Sequence, residues 1–403
     1  MAQPKTQYHP SQGLEKIPFV ATCLAGFEEQ LLLEVERLGI SDAKIELRRI
    51  EGSCSWAQFC LMAFKSRLAV RLLLPLCKVM MRTSEDLYKA MVQYPWEDWI
   101  DPSHTIAIDH VVYSRFFNNT TFPALRLKDA IVDRIRDKKG KRPGIDKESP
   151  SIRVHLHVSE SNVTVSLDAS GFSLQRRGYR HSGGIAPLSE VLAAGMIDRV
   201  NWDGQKPLID PFCGGATLLI EAVRRYLNVP SAIDAPDFCL RNWPIYDEKL
   251  WYSLSENALQ DFKKPMAPVM GFDRSPSSVS LAKHHIQRAG LEGKIEVFQD
   301  NAMKWTPTDL EVGTLVANPP YGERIPLDDP EQWYQNWGFH LKHHFSGWTL
   351  WVLSTNSVAM KRLGFKHSDS IALKNGTLDC LFRRYNLYSG KKSTGPGGEV
   401  PEL

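Results

Sequence analysis

From Leu188 onward the chain alternates short apolar runs with helix-sized segments, and few architectures accommodate that alternation. The strand-like runs are Pro207 to Ile209, Val269 to Phe272, Ile295 to Phe298, Thr314 to Ala317 and Thr349 to Leu353, while Leu188 to Val200 and Thr217 to Tyr226 carry helical spacing. Strands that recur with a helix between them run parallel, so the pattern predicts an α/β fold of the doubly wound, Rossmann-like kind. The first 170 residues have a different texture. Phe19 to Thr22 reads as a strand and Gly26 to Leu38 as a helix, Ala57 to Leu74 is helix-like, and Thr105 to Val112 alternates as a strand does. Leu125 to Lys139 reads as a basic amphipathic helix, and Ile152 to Val158 with Asn162 to Leu167 as a hairpin, so this half is α+β. A boundary is expected near residues 170 to 180. Residues 1–16 and 389–403 are polar and bury little apolar surface, so both are expected to be flexible tails.

Composition narrows the function classes. A chain of 403 residues is too long for one core and suggests two or three domains. No apolar run is long enough to cross a bilayer, and the polar stretch Met1 to Gly13 lacks a secretory signal, which predicts a cytoplasmic protein. Seven cysteines without a CxxC or Cys/His ligand spacing indicate neither a disulfide framework nor a metal site. The adjacent histidines His284-His285 and His343-His344 point in different directions on a helix and read as surface or partly buried residues, and the tryptophans, Trp333 among them, read as core. A net charge of +3 permits nucleic-acid binding without establishing it.

Three acidic strand ends occur in order: Asp210, Asp273 and Asp300. The first opens Asp210-Pro211-Phe212-Cys213-Gly214-Gly215-Ala216-Thr217, where small residues let a ligand approach the backbone before a helix starts. It is neither a dinucleotide GxGxxG nor a GxxxxGK[ST] phosphate loop. Single aspartates commonly cap helices, but three in this order describe an adenosyl pocket. In that reading Asp210 lies near the amino-acid end of the cofactor, Asp273 accepts from the ribose hydroxyls, and Asp300 accepts from the adenine amine. Cys213, Gly214, Gly215, Thr217 and Ala302 complete the pocket. Asp273 follows Asp210 at far more than the usual spacing of about 20 residues, so an insertion is expected, with 228–265 the candidate.

The most specific signal is the strand Leu315-Val316-Ala317 ending in Asn318-Pro319-Pro320-Tyr321-Gly322. An exocyclic base amine is a poor nucleophile because its lone pair is delocalised into the ring. The Asn318 side-chain oxygen and the Pro319 carbonyl can accept its N–H groups, two prolines keep these acceptors aimed, and Tyr321 offers a stacking face. Asn318 also adjoins the cofactor in this reading. The pattern predicts in-line methyl transfer from S-adenosylmethionine to an unpaired or flipped base.

These segments resemble the THUMP-containing RNA guanine-N2 methyltransferases, nearest the bacterial large-subunit (23S) rRNA branch. The resemblance runs through Ala21-Thr22-Cys23-Leu24-Ala25-Gly26-Phe27-Glu28, Ser66-Arg67-Leu68-Ala69, Leu127-Lys128-Asp129-Ala130-Ile131-Val132-Asp133, Arg177-Gly178-Tyr179-Arg180, Gly184-Ile185-Ala186-Pro187-Leu188, Asp210 to Glu221 and Asn318 to Arg324. It implies a ferredoxin-like lead-in over 17–56, a THUMP RNA-binding domain over 57–170 and a Rossmann-like class I methyltransferase domain over 171–388. It also implies that Pro187 and Leu188 line the cofactor site. The family's glycine turn usually reads Cys-Gly-Ser-Gly-Thr, and Ala216 departs from it.

From Arg126 to Arg142 the chain holds eight Lys or Arg against three Asp, which nominates Arg126, Lys128, Lys138, Lys139, Lys141 and Arg142 as phosphate contacts. Arg177 and Arg180 join them as RNA contacts or interdomain partners. The competing readings are the same reaction on tRNA, N6-adenine methylation of DNA, and a non-catalytic RNA-binding assembly factor.

Overall fold

The computed structural model describes residues 4–117, 119–180, 188–235, 237–258, 266–320 and 328–388. Two compact units emerge: Met1–Gly178 with Val229–Asp261, and Tyr179–Asn228 with Phe262–Leu403. Neither is continuous in sequence.

The first unit is built on one largely antiparallel sheet. Its path runs Ala43–Glu46, Arg49–Cys54, Ile17–Thr22, Arg71–Met80, Asn162–Asp168, Ile152–Ser159, Thr105–Tyr113, Gly144–Ile145, with Lys5–Thr6 pairing on Arg71–Met80. The sequence expectation of a helix through Leu74 is corrected here. The helix is Trp56–Lys65, opened by a reciprocal Ser55/Gln58 cap. Beyond it the Glu34 carboxylate accepts from Ser66 Oγ (2.8 Å) and the Arg67 amide (3.0 Å), fixing a turn. Residues Leu72 to Cys77 are then buried on both faces of a central strand, so their run of apolar residues carries no alternation to separate strand from helix. Pro75 interrupts that strand where its neighbour changes. Residues 71–73 pair with Ile17–Thr22 and residues 77–78 with Lys5–Thr6, so a missing N–H is tolerated between them.

The segment after the glycine-turn helix belongs to this unit. Trp243 lies 6.1 Å from Trp56 and 6.0 Å from Phe59 between ring centroids, and Trp251 of the helix Glu248–Ala258 lies 5.8 Å from Phe64. On the sheet, the fully buried Asp168 pairs with Arg71 at 2.5 Å, Arg71 reaches Asp109 at 3.0 Å, and Arg153 reaches the other oxygen of Asp109 at 2.8 Å.

The second unit holds strands β1 (Leu208–Asp210), β2 (Val269–Asp273), β3 (Glu296–Gln299), β4 (Thr314–Ala317), β5 (Thr349–Ser354), β6 (His367–Asn375) and β7 (Leu378–Asn386). Their order is β3-β2-β1-β4-β5-β7-β6, with β7 antiparallel to β5 and β6. Helices α1 (Glu190–Val200), α2 (Thr217–Tyr226), α3 (Pro276–Arg288) and α4 (Pro330–His344) accompany them. The sheet starts close-packed at Gly313, where a Cβ would sit 2.3 Å from the Pro207 carbonyl oxygen. Under α4, Trp337, Tyr334 and Leu341 close over Phe272, Leu315 and Leu350. Because β2 and β4 lie on opposite sides of β1, the carboxyl ends of these strands open a crevice. No helix among the described residues is long and apolar enough to cross a membrane.

Removing Asp168 takes a carboxylate partner from Arg71 and leaves the Ser170 and Gly171 amides without the oxygen they donate to. Asp168→Ala is expected to lower the unfolding free energy by about 3 kcal/mol, read from the denaturant midpoint of the whole chain.

Candidate active site

Four strand ends deliver the site. A cavity of about 850 Å³ is lined by the loop after β1, by the loop after β2 with Leu281 and His285 of α3, by Asp300 to Met303 after β3, and by Asn318 to Pro320 after β4. Arg180, Leu188 and Trp333 complete the wall. The structure therefore brings together Leu188, Asp210, Cys213, Gly214, Gly215, Thr217, Asp273, Asp300, Ala302, Asn318, Pro319 and Pro320 from the sequence assignment. Pro187 and Tyr321 lie outside the described residues.

Asp210 is 2% exposed. Burial, reinforced by the Asp273 charge, pushes its carboxyl up to about 8 against the help of the Phe212 amide, which donates to it at 3.0 Å. Burial therefore favours its protonated form. Asp273 holds the turn itself: Oδ2 accepts from the Gly214 amide at 3.1 Å and Oδ1 from the Ser275 amide at 2.8 Å. Each oxygen keeps a second lone pair for a ligand hydroxyl. Asp300 accepts from the Asn301 amide at 2.6 Å, and its own amide donates to the Asp273 carbonyl at 3.2 Å, tying the second and third acidic ends together. The Cys213 thiol is pushed up by burial and by both carboxylates, so it remains protonated rather than acting as a thiolate.

Ala216 occupies left-handed backbone, φ 61° and ψ 22°, at the start of α2, and no side chain caps that helix. An alanine there carries strain of roughly 1 kcal/mol that a glycine avoids. Thr217 and Leu218, the first residues of α2, line the cavity, and no side chain among the described residues caps that helix.

At the fourth strand end the Asn318 side-chain oxygen is buried and has no hydrogen-bond partner among the described residues. Pro319 and Pro320, which follow it, have no N–H to offer. An acceptor left this way costs roughly 1 to 3 kcal/mol unless a ligand donor meets it.

Residues outside the sequence assignment also form the wall. His285 is 2% exposed, and its Nδ1 lies 3.0 Å from the Gly215 carbonyl oxygen. Trp333, one turn into α4, lines the cavity and packs on Phe212 at 5.3 Å between centroids. A histidine or tryptophan on an amphipathic helix gives no signal of this placement before the topology is known.

Two basic residues are reassigned. Arg177 is 2% exposed and donates to the Leu174 carbonyl at 3.0 Å and to the Arg67 carbonyl, which removes it from the phosphate contacts. Arg180 lines the cavity and spends Nη1 on Glu190 and the Leu188 carbonyl, both at 2.9 Å. Arg126 stacks over Tyr88 at 4.1 Å and pairs with Glu85 at 2.7 Å, and Lys128 pairs with Asp129 at 3.0 Å. Lys138, Lys139, Lys141 and Arg142 are exposed around the left-handed Gly140 that ends their helix. Among the described residues, no group of three His, Cys, Asp or Glu is arranged to hold a metal ion.

The profile of the RMKL-like methyltransferase domain family matches residues 177–384, just over half of the chain. The chain belongs to the RMKL-like methyltransferases. Profiles for a THUMP domain and an RlmL ferredoxin-like domain match residues 81–168 and 18–73 of this methyltransferase. It is 35% identical over 373 residues to slr0064 of Synechocystis sp., a candidate RNA methyltransferase by name, covering 92% of this chain and 97% of that protein. It is 34% identical over 390 residues to the ribosomal RNA large subunit methyltransferase K/L of Pseudomonas paraeruginosa, covering 94% of this chain and 54% of that protein. The chain thus spans about half the length of this K/L relative. Among solved structures, SMU.472, a candidate methyltransferase bound to S-adenosylhomocysteine, is 25% identical with a TM-score of 0.82, covering 94% of this chain and all of that one. A Listeria monocytogenes protein predicted to be an N6-adenine-specific DNA methylase is 25% identical with a TM-score of 0.82, covering 93% and 97% of the two chains. S-adenosylmethionine is the cofactor of this family, and the donor set of the cavity fits it: three ordered carboxylates, a glycine turn without side-chain bulk and an open helix start.

The raised carboxyl of Asp210 has a consequence for stability. Unfolded aspartate ionises near 3.9, so the ligand-free fold keeps a proton that the unfolded chain gives up, and this contribution is lost as pH rises toward 8. Asp210→Asn is uncharged throughout, and its stability relative to wild type is expected to rise between about pH 5 and about pH 8 in denaturant titrations of the ligand-free chain.

Proposed function

We propose that this S-adenosylmethionine-dependent RNA methyltransferase methylates the exocyclic N2 amine of a guanine in 23S rRNA, acting in the cytoplasm. The observation that carries the reading is the buried Asn318 oxygen, without a hydrogen-bond partner among the described residues, at the fourth strand end of the cofactor cavity. A base amine pushed against it donates one N–H to Asn318 and the other to the Pro319 carbonyl. Both bonds draw the hydrogens out of the ring plane and return the nitrogen lone pair to the reaction. Tyr321 then stacks on the base. When bound, S-adenosylmethionine would supply a methyl group on a sulfonium, so that the amine held by Asn318 and Pro319 would gain an N–C bond as the S–C bond breaks and would release its proton to solvent.

Cofactor placement follows from the same chain of acceptors. Asp273 takes the ribose hydroxyls, Asp300 the adenine amine, and Asp210 faces the amino-acid end, where Gly214, Gly215 and Thr217 give the backbone room. RNA capture belongs to the THUMP domain, with the exposed run Lys138, Lys139, Lys141 and Arg142 as its phosphate contacts. The large-subunit assignment rests on the names of the K/L relatives. The name of the Listeria neighbour keeps an N6-adenine product as the second reading, because the same acceptors serve either amine.

Mass spectrometry of RNA from cells lacking this protein, after incubation with enzyme and labelled cofactor, decides between them. N2-methylguanosine confined to 23S rRNA is expected; label in adenine or in tRNA overturns the assignment. Asn318→Ala should lower the transfer rate by about 10² to 10³ while S-adenosylhomocysteine still binds in calorimetry. Replacing Lys138, Lys139, Lys141 and Arg142 by glutamine should reduce the slope of log affinity for RNA against log salt by roughly 3, with cofactor affinity unchanged.

A further inference from the structure

Among the described non-glycine residues with left-handed backbone, Ala216 alone has an apolar side chain; the others are Arg48, Glu160, Asn201 and Asn228. It is fully buried at the entrance to α2. Something must hold it there. The conformation of Ala216 is set by the peptide plane it shares with Gly215: turning that plane is how φ of Ala216 returns to the relaxed region. The carbonyl of this plane is the one that faces His285, with Nδ1 at 3.0 Å. A carbonyl oxygen only accepts, so Nδ1 carries the proton and donates. The ring is also seated against Gly215 itself, since a Cβ there would lie 3.0 Å from Nδ1 and 3.2 Å from Cε1. The N–H edge of the same plane is held as well, Ala216 donating back to the Cys213 carbonyl at 2.7 Å, so His285 grips the carbonyl edge of a plane fixed on both sides; the Cys213 amide donates to the Phe272 carbonyl at 2.9 Å and the Gly214 amide to Asp273.

We propose that His285 is a positioning residue which, by gripping the Gly215 carbonyl, keeps Ala216 in the left-handed conformation that opens the start of α2 toward the amino-acid end of the cofactor. The inference rests on the cofactor reading of the cavity and adds to it a residue that acts through the turn. It also explains how the chain accommodates alanine where glycine would be at ease: the second strand and its helix supply both an acceptor for the turn, Asp273, and a donor, His285.

The test is a double-mutant cycle on the full chain, with the dissociation constant of S-adenosylhomocysteine measured by calorimetry. His285→Leu removes the donor and is expected to weaken binding about tenfold. His285→Asn can still donate from its amide and should stay within about threefold of wild type. In an Ala216→Gly background the loss caused by His285→Leu should shrink to about twofold, because glycine needs no holding. Equal losses in both backgrounds, or wild-type binding by His285→Leu, overturn the proposal. The loss in His285→Leu should fall more on the KM for the cofactor than on kcat, and His285→Asn should restore most of it. Should His285→Leu fail to fold, nitrogen-15 spectra of histidine-labelled wild type decide the matter: an Nδ1–H tautomer at His285 is expected, and an Nε2–H tautomer overturns it. Absence of S-adenosylhomocysteine binding by wild type itself would instead remove the cofactor reading on which the proposal stands.

Discussion

The second unit depends on one constraint: β1 is a three-residue strand with a parallel neighbour on each side. The chain runs out to β2 and β3 on one flank and to β4 and β5 on the other, so the connections leaving β1 and β4 diverge. Divergence leaves a gap that no crossover helix fills, and the gap lies at the carboxyl ends. Asp210 and Asp273 are the last residues of their strands, and Asp300 and Asn318 the first residues beyond theirs. The apolar packing under α4 makes the arrangement rigid, since Phe272 and Leu315 belong to the strands that end in Asp273 and Asn318.

Rigidity matters because the site holds polar groups in states that water would not leave them in. Asp210 is driven toward its protonated form by burial, Asn318 presents an acceptor without a donor among the described residues, and Ala216 sits in a backbone region that alanine avoids. Each is a local cost that the packed sheet sustains; Asp210 and Asn318 line the cavity, and Ala216 sits between its lining residues Gly215 and Thr217. Groups arranged at a cost before a ligand arrives are not reorganised when it does, which is the physical meaning of preorganisation.

Much of this arrangement is legible in the amino-acid sequence. Strand ends announce themselves when an apolar run stops at Asp or at Asn-Pro-Pro, because a buried strand cannot continue through a carboxylate or a proline pair. What was not readable came from contacts across the sequence. Arg71 to Met80 looks helical or extended with equal ease, since a strand buried on both faces has no period of two, and only its pairing with Ile17–Thr22 and Asn162–Asp168 decides the matter. In the hairpin β6–β7 the inward positions alternate in burial, but Asp369 and Asn375 are among them, so polarity along the sequence does not mark the strand. The basic run from Arg126 to Arg142 concealed two populations: Arg126 pairs with Glu85 of another helix and Lys128 with its neighbour Asp129, while Lys138, Lys139, Lys141 and Arg142 meet solvent. His285 reads as one of two ordinary helix histidines until Gly215 is placed beside it.

The excursion of residues 229–261 sets an order on synthesis. Trp243 and Trp251 pack into the core of the first unit, yet they are encoded after α2 and after the glycine turn of the second. A nascent chain that has just exposed its THUMP region still lacks part of the interior of that unit, and a fragment cut near residue 178 would leave Trp56, Phe59 and Phe64 without the rings that cover them. Dissection of this protein into an RNA-binding half and a catalytic half therefore cannot be done with one cut. The two activities are sewn together by a single thread that passes through both, and each unit reaches its final form only when more than half of the polypeptide has been made.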